Sequence, residues 1–450
     1  MLLIILFSYT IPIDLPITEN IEYLQLRGFI ELSWVRPYEK DWLVEQLDQL
    51  LMRDEKLNDI DRRILAYFNP LLTKSEDFST VIYLQSGFQS KPRYYYGLIN
   101  EVLGGNLFSK VSFGQGIKIL RANQLDSLGP KPWKNFQTYQ TEGFIRWNYP
   151  RIKFYLGRRN FLLGYGPMDG LLLSRDPEGY DGFYLYIPGR LYEFQAIFTV
   201  LDLKEIRYLA IHRIGLRLKN FLRLGFSEAI LFGHQLEPAY LNIFLPYYLS
   251  QWGTDRDDNI LWCFDWSLSA YNSQFYGEFL IDDYMYEDDP YPDKLGYRLG
   301  LKSLLNILLL KVDYTFVDKW VYTQRHPINT YERNGHPLGF PLGNDVDRIA
   351  GAIKIITKFG FYPIVSITYI RKGEGSIFLP FEEEDGDWNP PFPSPVVERK
   401  LEIELGIDYL SRYNLCIQFK AGKRTWYNYN HIPDNYRNQP FIRISGSLFF

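Results

Sequence analysis

Few residues in this chain are placed to do covalent or acid–base chemistry. Its five histidines, His212, His234, His326, His336 and His431, share no spacing that a metal centre or a general base would need. The sequence holds no HExxH, no CxxC pair, no phosphate loop and no GxSxG. Ser174-Arg175-Asp176 follows Gly164-Tyr-Gly-Pro167, but a serine nucleophile requires a positioned base, and that stretch contains no histidine. Asp255, Asp257 and Asp258 begin like a calcium loop and lack the glycine and glutamate that would complete one. Cys263 and Cys416 are the only cysteines and support neither a disulfide framework nor a metal site. The chain is read as a non-enzyme with no cofactor and no metal.

What the sequence does bring together is aromatic rings with carboxylates and amides. Trp133, Tyr165, Tyr240, Tyr247, Tyr248, Trp252, Trp320 and Trp388 fall in the same connecting segments as Asp169, Asp255, Asp257, Asp258, Asn334, Asp385 and Asp387. Sugar rings present apolar C–H faces that stack on aromatics and hydroxyls that pair with carboxylates, so the mixture suits carbohydrate. It equally suits a lipid headgroup belt, where Tyr and Trp concentrate.

The elements that carry these segments are strands. From Ser79 onward apolar residues recur at every second position, as in Leu401-Glu-Ile-Glu-Leu-Gly-Ile-Asp-Tyr409 and in the closing Phe441-Ile-Arg-Ile-Ser-Gly-Ser-Leu-Phe-Phe450. About eighteen such segments follow one another, each long enough to cross a membrane at a tilt. Tight turns are expected at Gly104-Gly105-Asn106, Pro150-Arg151, Gly189-Arg190, Lys219-Asn220, Tyr271-Asn272, Leu305-Asn306, Phe359-Gly360 and Tyr413-Asn414, all after even-numbered strands. The long connections, near 122–137, 161–180, 233–256, 320–345 and 373–397, all follow odd-numbered strands. A soluble sandwich has no reason to sort its loops by end, whereas a barrel with one end in the periplasm and the other outside does.

Composition agrees. Aromatics make up 17% of the 450 residues, as interfacial girdles require, and no run of eighteen apolar residues exists to build a helical span. A net charge of −4 points away from nucleic acid. Residues 1–12, beginning MLLIILFSYT, are read as a clipped signal peptide. Residues 13–75 change period: Leu43, Leu47, Leu50 and Leu51, then Ile60, Ile64, Leu65 and Phe68 behind the N-cap candidates Asn58 and Asp59, indicate short helices, with an earlier one around Ile21, Leu24 and Leu26. Three such helices cannot form a core alone and must dock on the barrel of residues 76–450.

The inward parity of the strands carries both signs: Arg146, Arg213, Arg217, Arg223, Arg298, Lys302, Lys311 and Lys420 against Asp265, Glu278, Asp282, Asp313, Glu402, Glu404 and Asp408. Mixed signs favour pairing across the lumen over an ion-selective path. His212 and Glu228 fall on the lipid parity, which demands a bulge or a membrane rim nearby.

Several segments, in order, resemble the Wzi-type capsule-assembly proteins of the outer membrane. They are Leu24-Gln-Leu-Arg-Gly28 with Arg36-Pro-Tyr38, Gly164-Tyr-Gly-Pro-Met-Asp-Gly-Leu-Leu-Leu-Ser174, His212-Arg213, Gly225-Phe-Ser-Glu228 with Phe232-Gly233, Tyr240-Leu-Asn242, Asp258-Asn259 and Tyr276-Gly-Glu-Phe-Leu-Ile-Asp-Asp283. The resemblance implies an 18-stranded antiparallel transmembrane β-barrel with a small N-terminal α-helical plug, and a lectin-like role without catalysis. Partners would be capsular polysaccharide or exopolysaccharide, outer-membrane lipids and, as a further candidate, the polysaccharide export machinery. Expected polysaccharide contacts are Trp133, Tyr165, Asp169, Arg175, His234, Tyr247, Trp252 and Trp320. Gly164, Gly166 and Pro167 are expected to shape a loop folding toward the lumen. The alternative is a porin or channel for small polar solutes.

Overall fold

A computed structural model describes residues 10–11, 17–52, 57–72, 78–127, 129–166, 169–219, 221–254, 256–284, 291–382, 390–411 and 415–449. Eighteen antiparallel strands close into a barrel in chain order. They are β1 (Phe78–Gln89), β2 (Tyr94–Phe108), β3 (Val111–Ala122), β4 (Phe136–Tyr149), β5 (Ile152–Arg159), β6 (Tyr180–Ile187), β7 (Tyr192–Asp202), β8 (Arg207–Leu218) and β9 (Leu222–Phe232). The circuit continues through β10 (Asn259–Ala270), β11 (Ser273–Asp283), β12 (Lys294–Leu305), β13 (Leu308–Val317), β14 (Val346–Ile355), β15 (Phe361–Lys372), β16 (Glu398–Leu410), β17 (Leu415–Tyr427) and β18 (Arg437–Phe449). The seam joins β18 to β1, with Ile444 opposite Phe88 and Ser447 opposite Gln85.

Alternation decides which face each residue takes. Ile403, Leu405 and Ile407 stand exposed on the outer wall, while Glu404 and Asp408 are buried inside. Ile442 and Ile444 likewise face out, and Ser445 and Ser447 face in. Short connections follow even-numbered strands at one end, and the long ones lie at the other. One expected turn was misplaced. Gly104, Gly105 and Asn106 lie inside β2, paired with Gly114, Phe113 and Ser112 of β3, and the reversal comes at Ser109–Lys110. Pairing on both edges of β2 outweighs the turn propensity of its glycines. Asn220, Tyr413 and Asn414 lie outside the described residues, as do residues 1–9 and 12 of the expected leader; Thr10–Ile11 pair with Tyr38–Glu39.

Three helices sit at the short-turn end: α1 (Ile17–Leu26), α2 (Lys40–Leu51) and α3 (Asp59–Leu72). Gly28 ends α1 at φ +71°, where its N–H donates to the Gln25 carbonyl and that of Phe29 to Leu24. Asn58 and Asp61 cap α3 reciprocally, each side chain accepting the other's backbone N–H at 2.9 and 3.0 Å. Leu24, Leu43, Leu47, Leu50, Ile64 and Leu65 form one core with Leu304, Leu309, Ile356, Tyr362 and Leu410 of the barrel, so the helices do dock. Leu51, expected on the same stripe, is exposed.

Ion pairs lock this plug in register. Lys302 meets Glu22 at 2.7 Å, and Lys311 meets Glu22 at 2.8 Å. Lys354 pairs with Glu19, Arg223 meets Glu31 at 3.1 Å, and Arg63 donates to the Leu410 carbonyl at 2.8 Å. Glu39 enters a cluster of Arg159 at 2.8 Å, Arg146 at 3.3 Å, Lys153 at 3.8 Å and the Tyr155 hydroxyl at 2.6 Å. Burial alone would raise the Glu39 carboxyl, but Arg159, Lys153 and Arg146 outweigh it and hold it at about 2, from an ordinary 4.5. Against the same burial, Lys302 and Lys311 hold Glu22 at about 2. Because both groups are depressed in the folded state, their stabilisation is present above pH 4.5 and is lost as pH falls from there toward about 2. Amide exchange of α1 and α2 should therefore be flat from pH 7 to 5, after correction for intrinsic exchange, and lose protection below 4.5. Undiminished protection at pH 2 would contradict the assigned clamp.

Candidate functional site

The lumen is occupied by the chain itself. Residues 160–166 and 169–179, after β5, turn inward, and Leu162–Leu163 pair with Val35–Arg36 of the N-terminal segment. Glu278 of β11 holds this loop by accepting the N–H groups of Tyr165 at 2.7 Å and Leu171 at 3.0 Å. Arg298, fully buried, pairs with Glu278 at 3.1 Å and with Asp169 at 2.7 Å, and Arg348 meets Asp169 at 2.8 Å. The loop 318–345 packs on top: Tyr322 and Tyr331 donate their hydroxyls to the Leu171 and Leu172 carbonyls. Gly170 is where backbone meets backbone, since a Cβ there would lie 1.9 Å from the Leu163 oxygen. Arg213 joins Glu193 and Asp265, and Lys420 joins Glu404, so the mixed inward charges pair as the parity argument expects. Cys263 and Cys416 are both buried as free thiols.

The connection 233–258 does something the sequence did not disclose. It folds down the outer wall, with Phe244 stacked 5.9 Å from Phe194 and Tyr240 packed on Phe232. Its helices α4 (Pro238–Leu241) and α5 (Tyr247–Thr254) cover the polar residues of the lipid parity. Glu228 accepts from the N–H groups of Tyr247 and Tyr248, from Trp262 Nε1, and lies 2.9 Å from His212 Nε2. No bulge interrupts the pairing of β8, β9 and β10 there. Of the bulge or membrane rim expected nearby, the bulge is absent, and the outward carboxylate is covered by α5, whose N–H groups satisfy it. Leu249 and Trp252 turn away from the barrel, 64% and 73% exposed, and so face the bilayer side.

At the long-loop end a cavity of about 200 Å³ opens among four connections. Tyr291 and Phe381 wall it with rings 6.1 Å apart at nearly a right angle. Asp257, Asp283, Gln324 and Lys294 line it with acceptors and donors. The Arg325 guanidinium lies 4.5 Å over the Tyr291 ring, Lys294 meets Asp283 at 3.5 Å, and His326 meets Asp257 at 3.5 Å. Aromatic walls at right angles with two carboxylates and an amide between them can take the C–H face of a pyranose and its vicinal hydroxyls.

The eight residues chosen from sequence do not form one site. Trp320 stands behind the cavity, 5.4 Å from Phe381 with Lys319 4.4 Å over its ring, but is itself buried. Trp133 is 69% exposed on another loop, stacked on Phe136. Tyr165 and Asp169 are buried in the lumen, Tyr165 stacked on Tyr276 at 5.1 Å, where they hold the inward loop. Tyr247 and Trp252 are on the outer wall, His234 is exposed at φ +69° before α4, and Arg175 is half-buried at the outer end of the inward loop. Pro167, Asp255, Asp385, Asp387 and Trp388 lie outside the described residues. Asp283, Tyr291, Gln324 and Phe381, which line the cavity, are not among the eight, although Tyr284 to Asp293 mixes aromatics with carboxylates. Among the described residues no group of His, Cys, Asp and Glu could hold a metal ion.

No family model and no curated protein matches the sequence. Among solved structures, Wzi, the Escherichia coli outer-membrane protein involved in group 1 capsule assembly and described as a carbohydrate-binding β-barrel, superposes with a TM-score of 0.68 at 14% identity. That match covers 98% of this chain and 98% of Wzi. Pseudomonas aeruginosa OccK3 (OpdO) follows at a TM-score of 0.51 and 10% identity, over 83% of this chain and 96% of that one. Acinetobacter baumannii OccAB1 matches at 0.50 and 10%, over 83% and 96%. Identities this low speak to fold, and the fold they share is that of an outer-membrane barrel. The full-length superposition extends to the N-terminal helices, so this chain has the fold of Wzi.

Proposed function

We propose that this barrel holds exported capsular polysaccharide or exopolysaccharide at the cell surface through its long-loop end, as a lectin-like protein without catalysis. The observation that carries the reading is the outer cavity, where Tyr291 and Phe381 converge with Asp257, Asp283 and Gln324. Wzi, whose fold the chain shares, is described as carbohydrate-binding, which supports the same reading. Exposed Trp133 and half-buried Arg175 would add weaker contacts to a long chain passing over several loops.

Labelled surface polysaccharide from the native host, applied to purified barrel, tests this directly. Tyr291→Ala combined with Asp283→Asn is expected to weaken binding at least tenfold. A stacked ring contributes about 1 kcal/mol and a charged hydrogen bond about 1.5–3, and 1.4 kcal/mol is a factor of ten. Binding unchanged in the double variant would refute the cavity as the site, and no binding by the parent protein would refute the function.

A further inference from the structure

A second cavity, of about 250 Å³, lies at the opposite, short-turn mouth between the N-terminal segment and the barrel wall. Trp42, Tyr149, Tyr184 and Tyr186 give it aromatic walls, the last two with parallel rings 6.5 Å apart. Lys153, Arg159 and Arg217 supply its cations, Arg217 already meeting Glu193 at 3.3 Å, and Glu39 and Glu45 supply its carboxylates. One resident carboxylate already shows what these cations accept: Glu39 takes Arg159, Arg146, Lys153 and the Tyr155 hydroxyl together.

One carboxylate does not exhaust them. Arg159 is 3% exposed, and after its Nη2 bond to Glu39 its Nε and Nη1 have no partner. Its guanidinium is fixed by the Tyr155 ring at 4.2 Å and the Tyr184 ring at 4.9 Å, so those donors cannot swing to water. Gln195, also 3% exposed, lines the same cavity with an unpaired Oε1, an acceptor for a hydroxyl. Unsatisfied groups this deeply buried carry a desolvation cost, and a ligand that pairs them recovers it.

We infer that this cavity is a binding site for a small hydroxylated carboxylate with an apolar face, the chemistry of a uronic acid ring. The carboxylate would meet Arg159 and Lys153, a ring hydroxyl would donate to Gln195 Oε1, and the C–H face would lie against Tyr186 and Trp42. An inorganic anion could use the cations but would leave the aromatic walls and Gln195 idle. The site is independent of the outer cavity and opens at the other end of the barrel.

Calorimetry on the full chain in detergent, with glucuronate, glucose and inorganic phosphate as separate probes, tests it. Glucuronate is expected to bind at least tenfold more tightly than glucose or phosphate. Gln195→Leu and Tyr186→Ala should each weaken it severalfold, while Tyr291→Ala with Asp283→Asn leaves it unchanged. Heat-modifiable gel migration identifies variants that keep the barrel. Phosphate binding as tightly as glucuronate, glucuronate binding indifferent to both substitutions, or no glucuronate binding by the parent protein would each overturn the assignment.

Discussion

Arg298→Met is expected to destabilise the barrel by about 3–5 kcal/mol, the cost of breaking a buried ion pair from one side. Arg298 is fully buried between Asp169 and Glu278 and donates a further bond to Thr315 Oγ1 at 3.0 Å. Methionine nearly fills the volume but leaves the Glu278 carboxylate facing only the N–H groups of Tyr165 and Leu171, and leaves Asp169 to Arg348. Denaturant unfolding in detergent, followed by the gel shift between folded and unfolded barrel, reads the loss. Neutralising the partners in the same chain, with Asp169→Asn and Glu278→Gln, should restore much of it. The penalty lies in the unpaired charges more than in the missing guanidinium. A shift below 1 kcal/mol would mean that water reaches this cluster.

Excising the two inward loops, residues 161–178 and 320–343, should open a conducting path that the intact barrel is expected to lack. An eighteen-stranded barrel encloses a lumen wider than its own side chains fill, so whatever blocks it must come from elsewhere in the chain. Here the obstruction is Leu171, Leu172 and Leu173 packed under Tyr322, Tyr331 and Phe340, all essentially inaccessible. With both loops replaced by short Gly-Ser turns, the plug alone remains at the short-turn mouth, and planar-bilayer recordings should show openings that the parent is expected to lack. If the excised protein folds and stays silent, the N-terminal helices are the true seal.

Strand number, strand boundaries within a few residues and the helical plug were legible because each rests on a local period that neighbours reinforce. Alternation in Leu401–Tyr409 fixes a face whatever the loops do. The fate of the loops was not legible, because a loop records no direction. Residues 160–179 carry four glycines and residues 233–258 five aromatics, and neither composition states a direction. One goes inward because Glu278 and Arg298 wait for its backbone and its Asp169, the other outward because Glu228 and His212 need cover. The sequence flagged His212 and Glu228 as misplaced charges, a correct signal whose answer lay about twenty residues downstream in Tyr247 and Tyr248. Sugar-contact candidates scattered for the same reason. Composition identifies the type of residue, and only the closed register of β10 through β16 brings Asp257, Asp283, Tyr291 and Phe381 to one cavity.

The most direct test of a barrel that retains material at the surface, as against one that passes solutes, is single-channel recording of the unmodified protein in planar bilayers. A lumen filled by its own loops predicts no steady conductance at any holding potential within the physiological range. Sustained openings of nanosiemens size would contradict the account and favour the pore.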